Sequence, residues 1–299
     1  MDVNTVTVVG AGTMGAGIAQ VCAQAGYDTH LVDANAVALE RGMQRIEEFW
    51  AKGIAKGKTT EAQRSHWRSR LNASTDAGAA AGSSQVVIEA VPEDLRLKQK
   101  VFAQVDKAAP DGALLASNTS SLSVAAIAGA TKRPGCVLGL HFFNPVPLMQ
   151  LLEIVRHDDT DPGALGMAQE VGKRLGKTTI VVRDSPGFAT SRLGIVLGNE
   201  AMRMLEEGIA SARDIDTAMR LGYGHPMGPL ELSDLVGLDV RADVGDYLYS
   251  QFKDGETKGD HYRSPDLLRR LVKAGDLGKK VGRGFYDWSD GTPRERRLP

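Results

Sequence analysis

Residues 6–33, VTVVGAGTMGAGIAQVCAQAGYDTHLVD, restrict the possible folds of this chain more than any other stretch. Val6, Val8 and Val9 are β-branched and predict a short buried strand. Gly10-Ala11-Gly12-Thr13-Met14-Gly15 follows at once, and residues 14–25 have the apolar spacing of a helix. Residues 27–32 read as a second strand that ends on Asp33. Such a strand–turn–helix is built to hold a dinucleotide. Gly10 permits the tight turn, Gly12 lets backbone amides reach a pyrophosphate, and Gly15 lets the helix lie close on the sheet. Thr13 and Met14 complete the turn, whose helix N-terminus offers unpaired N–H groups to phosphate. Asp33 lies 21 residues beyond Gly12, where a carboxylate accepts the hydroxyls of the adenine ribose. The same carboxylate repels a 2′-phosphate and no arginine follows it, so the expected cofactor is NAD(H) rather than NADP(H).

The chain in order shows what surrounds this turn. Residues 37–56 and 61–71 read as amphipathic helices; Arg41, Arg45, Lys52, Lys56 and Lys58 there offer either a solvated face or a contact for an anionic ligand. Residues 77–84 are small and turn-forming, and an exposed turn is expected. Residues 86–91 read as a buried strand ended by Pro92, and residues 95–108 as a helix. Strands over 113–117, 137–143 and 151–155, a helix over 164–175 and a strand over 178–182 follow. The alternation predicts an α/β fold with a doubly wound, mostly parallel sheet. Beyond Asp184-Ser-Pro-Gly187 the pattern turns helical, over 191–207, 212–221, 230–252 in pieces and 265–274. Ser211 with Asp214 has the form of a capping box. The expected domains are 1–184, of Rossmann type, and 185–299, all-helical.

A length of 299 residues allows each domain its own core. Lys plus Arg (36) nearly equals Asp plus Glu (37), so no global field draws the chain to nucleic acid or an acidic membrane. Cys22 and Cys136 read as small buried residues, and no metal-ligand spacing is present. The first strand begins almost at the N-terminus and no apolar run reaches membrane-spanning length. A soluble, cytoplasmic protein is the expectation.

Hydride transfer from an alcohol to NAD needs a group to take the hydroxyl proton, and histidine titrates in the right range. His141 is the candidate, inside LGLHFFNPVP, where apolar neighbours imply a nearly dry imidazole in need of a partner. If residues 137–143 and 149–155 form an antiparallel hairpin about Pro147, residues whose numbers sum to 294 face each other. His141 and Glu153 are such a pair, with Cβ atoms about 5 Å apart. A carboxylate there holds one ring nitrogen and stabilises the imidazolium formed in turnover, as the aspartate of a serine-protease triad does. On spacing alone, a core histidine satisfied by a glutamate fits equally well. The cluster Ser117-Asn118-Thr119-Ser120-Ser121 reads as a polar loop or as a hydrogen-bonding group for a substrate oxygen.

The motifs taken together resemble the L-3-hydroxyacyl-CoA dehydrogenase family, in particular its short bacterial 3-hydroxybutyryl-CoA dehydrogenases. The resemblance runs through GAGTMGAGIAQ, VIEAVPEDLRLK, SNTSSL, GLHFFNPVPLMQLLEIV, DSPGF, GHPMGPLELSDLVGLD and GKKVGRGFYDW, and so covers nearly the whole chain. It implies reversible NAD-dependent oxidation of a 3-hydroxyacyl-CoA to a 3-oxoacyl-CoA, a role in fatty-acid metabolism, and a helical domain that dimerises. By position it makes His141 the catalytic base, Glu153 its paired acid and Ser120 the contact to the reacting oxygen. It also places Glu93, Lys98 and Asn144 near the cofactor. One position departs: the family's PGF-x-x-N-R reads Pro186-Gly-Phe-Ala-Thr-Ser191-Arg192 here, so Ser191 stands where an asparagine contacts substrate. His225, in Gly224-His-Pro-Met-Gly228, belongs to a family motif and reads as structural. Two rivals remain open. One is a dehydrogenase of a free hydroxy acid such as L-gulonate or carnitine; the other is a non-catalytic NAD-binding protein.

Overall fold

The computed structural model describes residues 2–255 and 259–298. The chain divides into two compact units, Met1–Ser185 and Pro186–Pro299.

The first unit is built on one eight-stranded sheet. In chain order it runs β1 (Thr5–Val9), α1 (Thr13–Gln24), β2 (Asp28–Val32), α2 (Ala36–Ala55), α3 (Glu61–Ser69), β3 (Leu71–Ser74) and α4 (Ala77–Ala81). Then come β4 (Val86–Glu89), α5 (Leu95–Ala108), β5 (Leu114–Ser117), α6 (Val124–Ala128), β6 (Val137–Phe142), β7 (Leu151–Arg156), α7 (Pro162–Arg174) and β8 (Thr178–Arg183). The strand order is β3-β2-β1-β4-β5-β6-β7-β8. Every neighbouring pair is parallel except β6 and β7, which run antiparallel. This is the mostly parallel, doubly wound arrangement expected of the sequence. Its central strands read as continuous apolar runs because helices cover both faces. Val6, Val8, Ile88 and Leu115 have no exposed surface; a side chain so buried contributes about 1.5–3 kcal/mol.

Three local readings change. Residues 77–84 are not an exposed turn: Asp76 caps α4 through the N–H groups of Gly78 and Ala79, and Ala80 and Ala81 are buried. A capping carboxylate and helix-favouring alanines outweigh the breaker signal of the flanking glycines. The helix expected over 61–71 stops at Ser69, and Leu71–Ser74 joins the sheet edge beside β2. Cys136 is only half-buried, whereas Cys22 is fully enclosed and burial pushes its thiol up to about 12.

The second unit is helical: α8 (Thr190–Glu206), α9 (Ala212–Thr217), α10 (Pro229–Val236), α11 (Leu238–Phe252) and α12 (Asp266–Lys273). A two-stranded ribbon, β9 (Tyr286–Asp287) with β10 (Arg294–Glu295), is added to them. Two buried aspartates organise it. Asp216 accepts from the N–H groups of Leu230 and Glu231 and so caps α10. Asp234 accepts from the backbones of Phe285 and Tyr286 and from the Trp288 indole. Burial pushes the Asp234 carboxyl up to about 6 against the pull of those three donors. The motifs GHPMGPLELSDLVGLD and KKVGRGFYDW, far apart in sequence, are therefore bonded to each other.

Candidate active site

The glycine turn has the shape its residues require. Gly10 has a φ of 106°, and a Cβ on it would press on the Ala90 carbonyl at 2.6 Å. A Cβ on Gly15 would overlap the Gly10 carbonyl oxygen, so this glycine is what lets α1 close onto the turn. Gly12 differs. It is the N-cap of α1, no side chain caps the helix there, and a Cβ on Gly12 would meet no protein atom within 4 Å. The protein itself has no packing need for that glycine; a pyrophosphate lying on the helix N-terminus does. Asp33 is held by two backbone donors, Ala11 N–H to Oδ2 and Asn35 N–H to Oδ1, both at 2.9 Å. Each oxygen keeps a lone pair for a ribose hydroxyl. The residues present fit NAD.

At the carboxyl ends of β4, β5 and β6 the sheet opens into a cavity of ≈ 330 Å³. His141, Ser120, Glu93, Lys98, Asn144 and Met14 all line it. These six residues of the sequence reading meet in one place, at the strand ends where doubly wound folds bind ligands. Thr13 lines a smaller hollow beside it, again with Asn144. Ser191 lies in the second unit, in the first turn of α8. The cationic side chains of α2 and its following turn, Arg41, Arg45, Lys52, Lys56 and Lys58, are exposed.

His141 sits on β6 directly across from Glu153 on β7, the register the hairpin requires. Its Nδ1 is 2.6 Å from Glu153 Oε2. His141 is 7% exposed and Glu153 not at all. A carboxylate so deep in apolar surroundings is costly unless paired, and the imidazole provides the pair. The Phe143 ring packs against the histidine at 4.4 Å between centroids. Nδ1 is thus the ring nitrogen that faces Glu153.

The same cavity is lined by a polar cluster whose hub the sequence reading missed. Glu89 ends β4 and is 1% exposed. Its Oε1 accepts from Lys98 Nζ at 2.8 Å and Val91 N–H at 2.7 Å, and its Oε2 from the Ser117 hydroxyl at 2.7 Å. Lys98, equally buried, also reaches Glu93 at 3.2 Å and the Val91 carbonyl at 3.2 Å. The ammonium thus has three oxygen neighbours within the protein. Glu93 Oε1 accepts from the Thr119 hydroxyl at 2.6 Å and the Ser120 N–H at 3.0 Å, which fixes the loop that carries Ser120. Burial pushes the Glu93 carboxyl up, but the Lys98 ammonium and these loop donors outweigh it and hold it below the usual range. Asn118 Oδ1 takes the Phe142 N–H at 2.9 Å and ties the same loop to the histidine strand. A single carboxylate at the end of the otherwise apolar VVIEAV strand was the available signal for Glu89.

Residues 5–185 match the family described as 3-hydroxyacyl-CoA dehydrogenase, NAD binding domain, and residues 187–288 its C-terminal domain. The 3-hydroxybutyryl-CoA dehydrogenase of Mycobacterium tuberculosis is 43% identical, over 96% of this chain and 99% of its own length. That of Clostridioides difficile is 39% identical, over 94% and 98%. The crystal structure of (S)-3-hydroxybutyryl-CoA dehydrogenase PaaH1 from Ralstonia eutropha is similar with a TM-score of 0.90 at 40% identity, covering 96% of this chain and 99% of that one.

Proposed function

The chain belongs to the 3-hydroxyacyl-CoA dehydrogenase family, and from that premise we propose that it oxidises a short-chain L-3-hydroxyacyl-CoA such as 3-hydroxybutyryl-CoA reversibly, with His141 as general base. It is an NAD-dependent enzyme. The observation that carries the catalytic reading is the His141–Glu153 pair, set on adjacent strands at the wall of the cavity that adjoins the dinucleotide turn.

Bound NAD⁺ supplies the hydride acceptor, held by the Gly10–Gly15 turn with its adenine ribose on Asp33. His141 Nε2 takes the proton of the 3-hydroxyl as the carbonyl forms. Glu153 keeps the ring in the tautomer with the proton on Nδ1 and stabilises the imidazolium. Ser120 orients the same oxygen by a hydrogen bond, and its loop is fixed by Glu93. In the reverse direction the imidazolium returns the proton. Ser191, shorter than the family's asparagine, donates to the substrate directly or through a water. The exposed cations of α2 receive the phosphates of coenzyme A.

The test compares acetoacetyl-CoA with acetoacetate, L-gulonate with NAD⁺, and carnitine with NAD⁺, read as absorbance at 340 nm. We expect kcat/KM for acetoacetyl-CoA to exceed that of every free acid by at least about a hundredfold, the discrimination that roughly 3 kcal/mol of binding to the coenzyme A moiety provides. Faster turnover of a free acid overturns the thioester assignment.

The second unit has an apolar face of its own. Leu232, Leu235, Val236 and Val240 are exposed along α10 and the start of α11. A run of this kind on a soluble protein marks an interaction site, and a second copy of the chain is the occupant proposed. The protein is then a cytoplasmic homodimer acting in fatty-acid metabolism. Among the described residues no helix is long and apolar enough to cross a membrane. Sedimentation should give a dimer for the unaltered chain and a monomer, with unchanged circular dichroism, for the Leu235→Asp, Val240→Asp double variant. Monomeric unaltered protein at micromolar concentration overturns this assignment.

A further inference from the structure

The charges around the cavity do not cancel. Glu89 and Lys98 form a close buried ion pair. Had that been the whole arrangement, the lysine would simply be neutralised. Glu93, however, approaches the same ammonium at 3.2 Å and stays ionised because its carboxyl is held below the usual range. Two carboxylates share one cation, and one negative charge is left over at the cavity wall. Behind His141, Glu153 brings a further carboxylate, paired with an imidazole that is neutral when ready to accept a proton.

We infer that this surplus charge selects the oxidised, cationic nicotinamide ring over the reduced, neutral one, and that the buried Glu89 sets it without touching either ligand. The inference rests on the proposed reading of His141 as base. The carbon that loses the hydride bears the oxygen that loses the proton, so the accepting ring has to stand in the cavity that His141 lines. Glu89 is 1% exposed and makes only internal contacts with Lys98, Val91 and Ser117. Its influence is therefore that of its charge, acting through low-dielectric surroundings on a ring whose own charge changes by one unit in the reaction.

The arrangement also allows the charge to be removed with little disturbance. In Glu89→Gln the amide oxygen can still accept from Lys98 and the Val91 N–H. The new NH₂ group meets the Ser117 hydroxyl, which turns from donor to acceptor. Ser117→Ala is the complementary control: it deletes a hydrogen bond to the same carboxylate and leaves the charge in place.

The experiment titrates the full chain with NADH by fluorescence and with NAD⁺ by competition, and compares the ratio of the two dissociation constants. Glu89→Gln should raise the NAD⁺ to NADH ratio about tenfold, the size expected of one unit charge several ångströms away at an effective dielectric constant near 20–40. Ser117→Ala should move it less than about twofold. Glu93→Gln removes the same unit charge from the other carboxylate and should shift the ratio in the same direction. It keeps the test decisive if Glu89→Gln does not fold, because damage to the Ser120 loop affects both forms of the cofactor alike. A ratio unmoved by either glutamine, or moved as far by Ser117→Ala, overturns the inference and leaves the His141 mechanism standing. Failure of the unaltered chain to bind either form overturns both.

Discussion

Replacing His141 with alanine should lower kcat by about 10³-fold, within the range that a positioned acid–base group contributes, while the dissociation constant for NADH changes less than about twofold. The two effects separate because the imidazole belongs to the cavity and not to the dinucleotide turn. Without it, the 3-hydroxyl proton has to leave to water, and Glu153 cannot substitute: it lies on the neighbouring strand with no exposed surface. The alanine also leaves that carboxylate without its 2.6 Å partner. A lower melting temperature is therefore expected beside the lost activity, since removing one partner of a buried ion pair costs several kcal/mol. Steady-state rates at 340 nm, NADH fluorescence titration and a thermal melt read the three effects. A variant that turns over at the normal rate removes His141 from the mechanism.

The second large effect is expected from two glycines only three residues apart. Gly12→Ala should weaken NAD⁺ and NADH at least about tenfold, a loss of roughly 1.4 kcal/mol, and leave the melting temperature of the ligand-free protein within about 2 °C. A Cβ there meets no protein atom within 4 Å, so only the pyrophosphate is obstructed. Gly15→Ala should act on the protein itself, because its Cβ overlaps the Gly10 carbonyl and α1 has to lift from the turn. A change of that kind costs on the order of 1–3 kcal/mol or more, visible as a lower melting temperature before any ligand is added. Equal melting temperatures for the two variants would show that the turn does not carry the contacts described.

How far the sequence reached depends on the range of the interactions involved. The turn was legible because its glycines fall at fixed spacing between a strand and a helix, and the His141–Glu153 pairing because a hairpin turns register into arithmetic. The short pieces were less legible. β3 takes its identity from pairing with β2, residues 71–74 beside 29–32, which no local pattern encodes. Residues 77–81 are helical through the Asp76 cap, and α6 through Ser123, whose hydroxyl accepts the Ala126 N–H while Asp184 holds the Ala125 N–H. Glu89 was hidden for a different reason. Its partners come from the turn after β4, from α5 and from β5, so nothing in one segment announces that three of them meet. The second unit's Asp234 is the same case, with donors more than fifty residues away.

The dinucleotide turn, the acid–base pair and the hydroxyl loop all belong to the unit that ends at Ser185. Their alignment is therefore inherited from the rungs of one sheet. Substitutions confined to the later helices therefore leave the spacing of those rungs as it is.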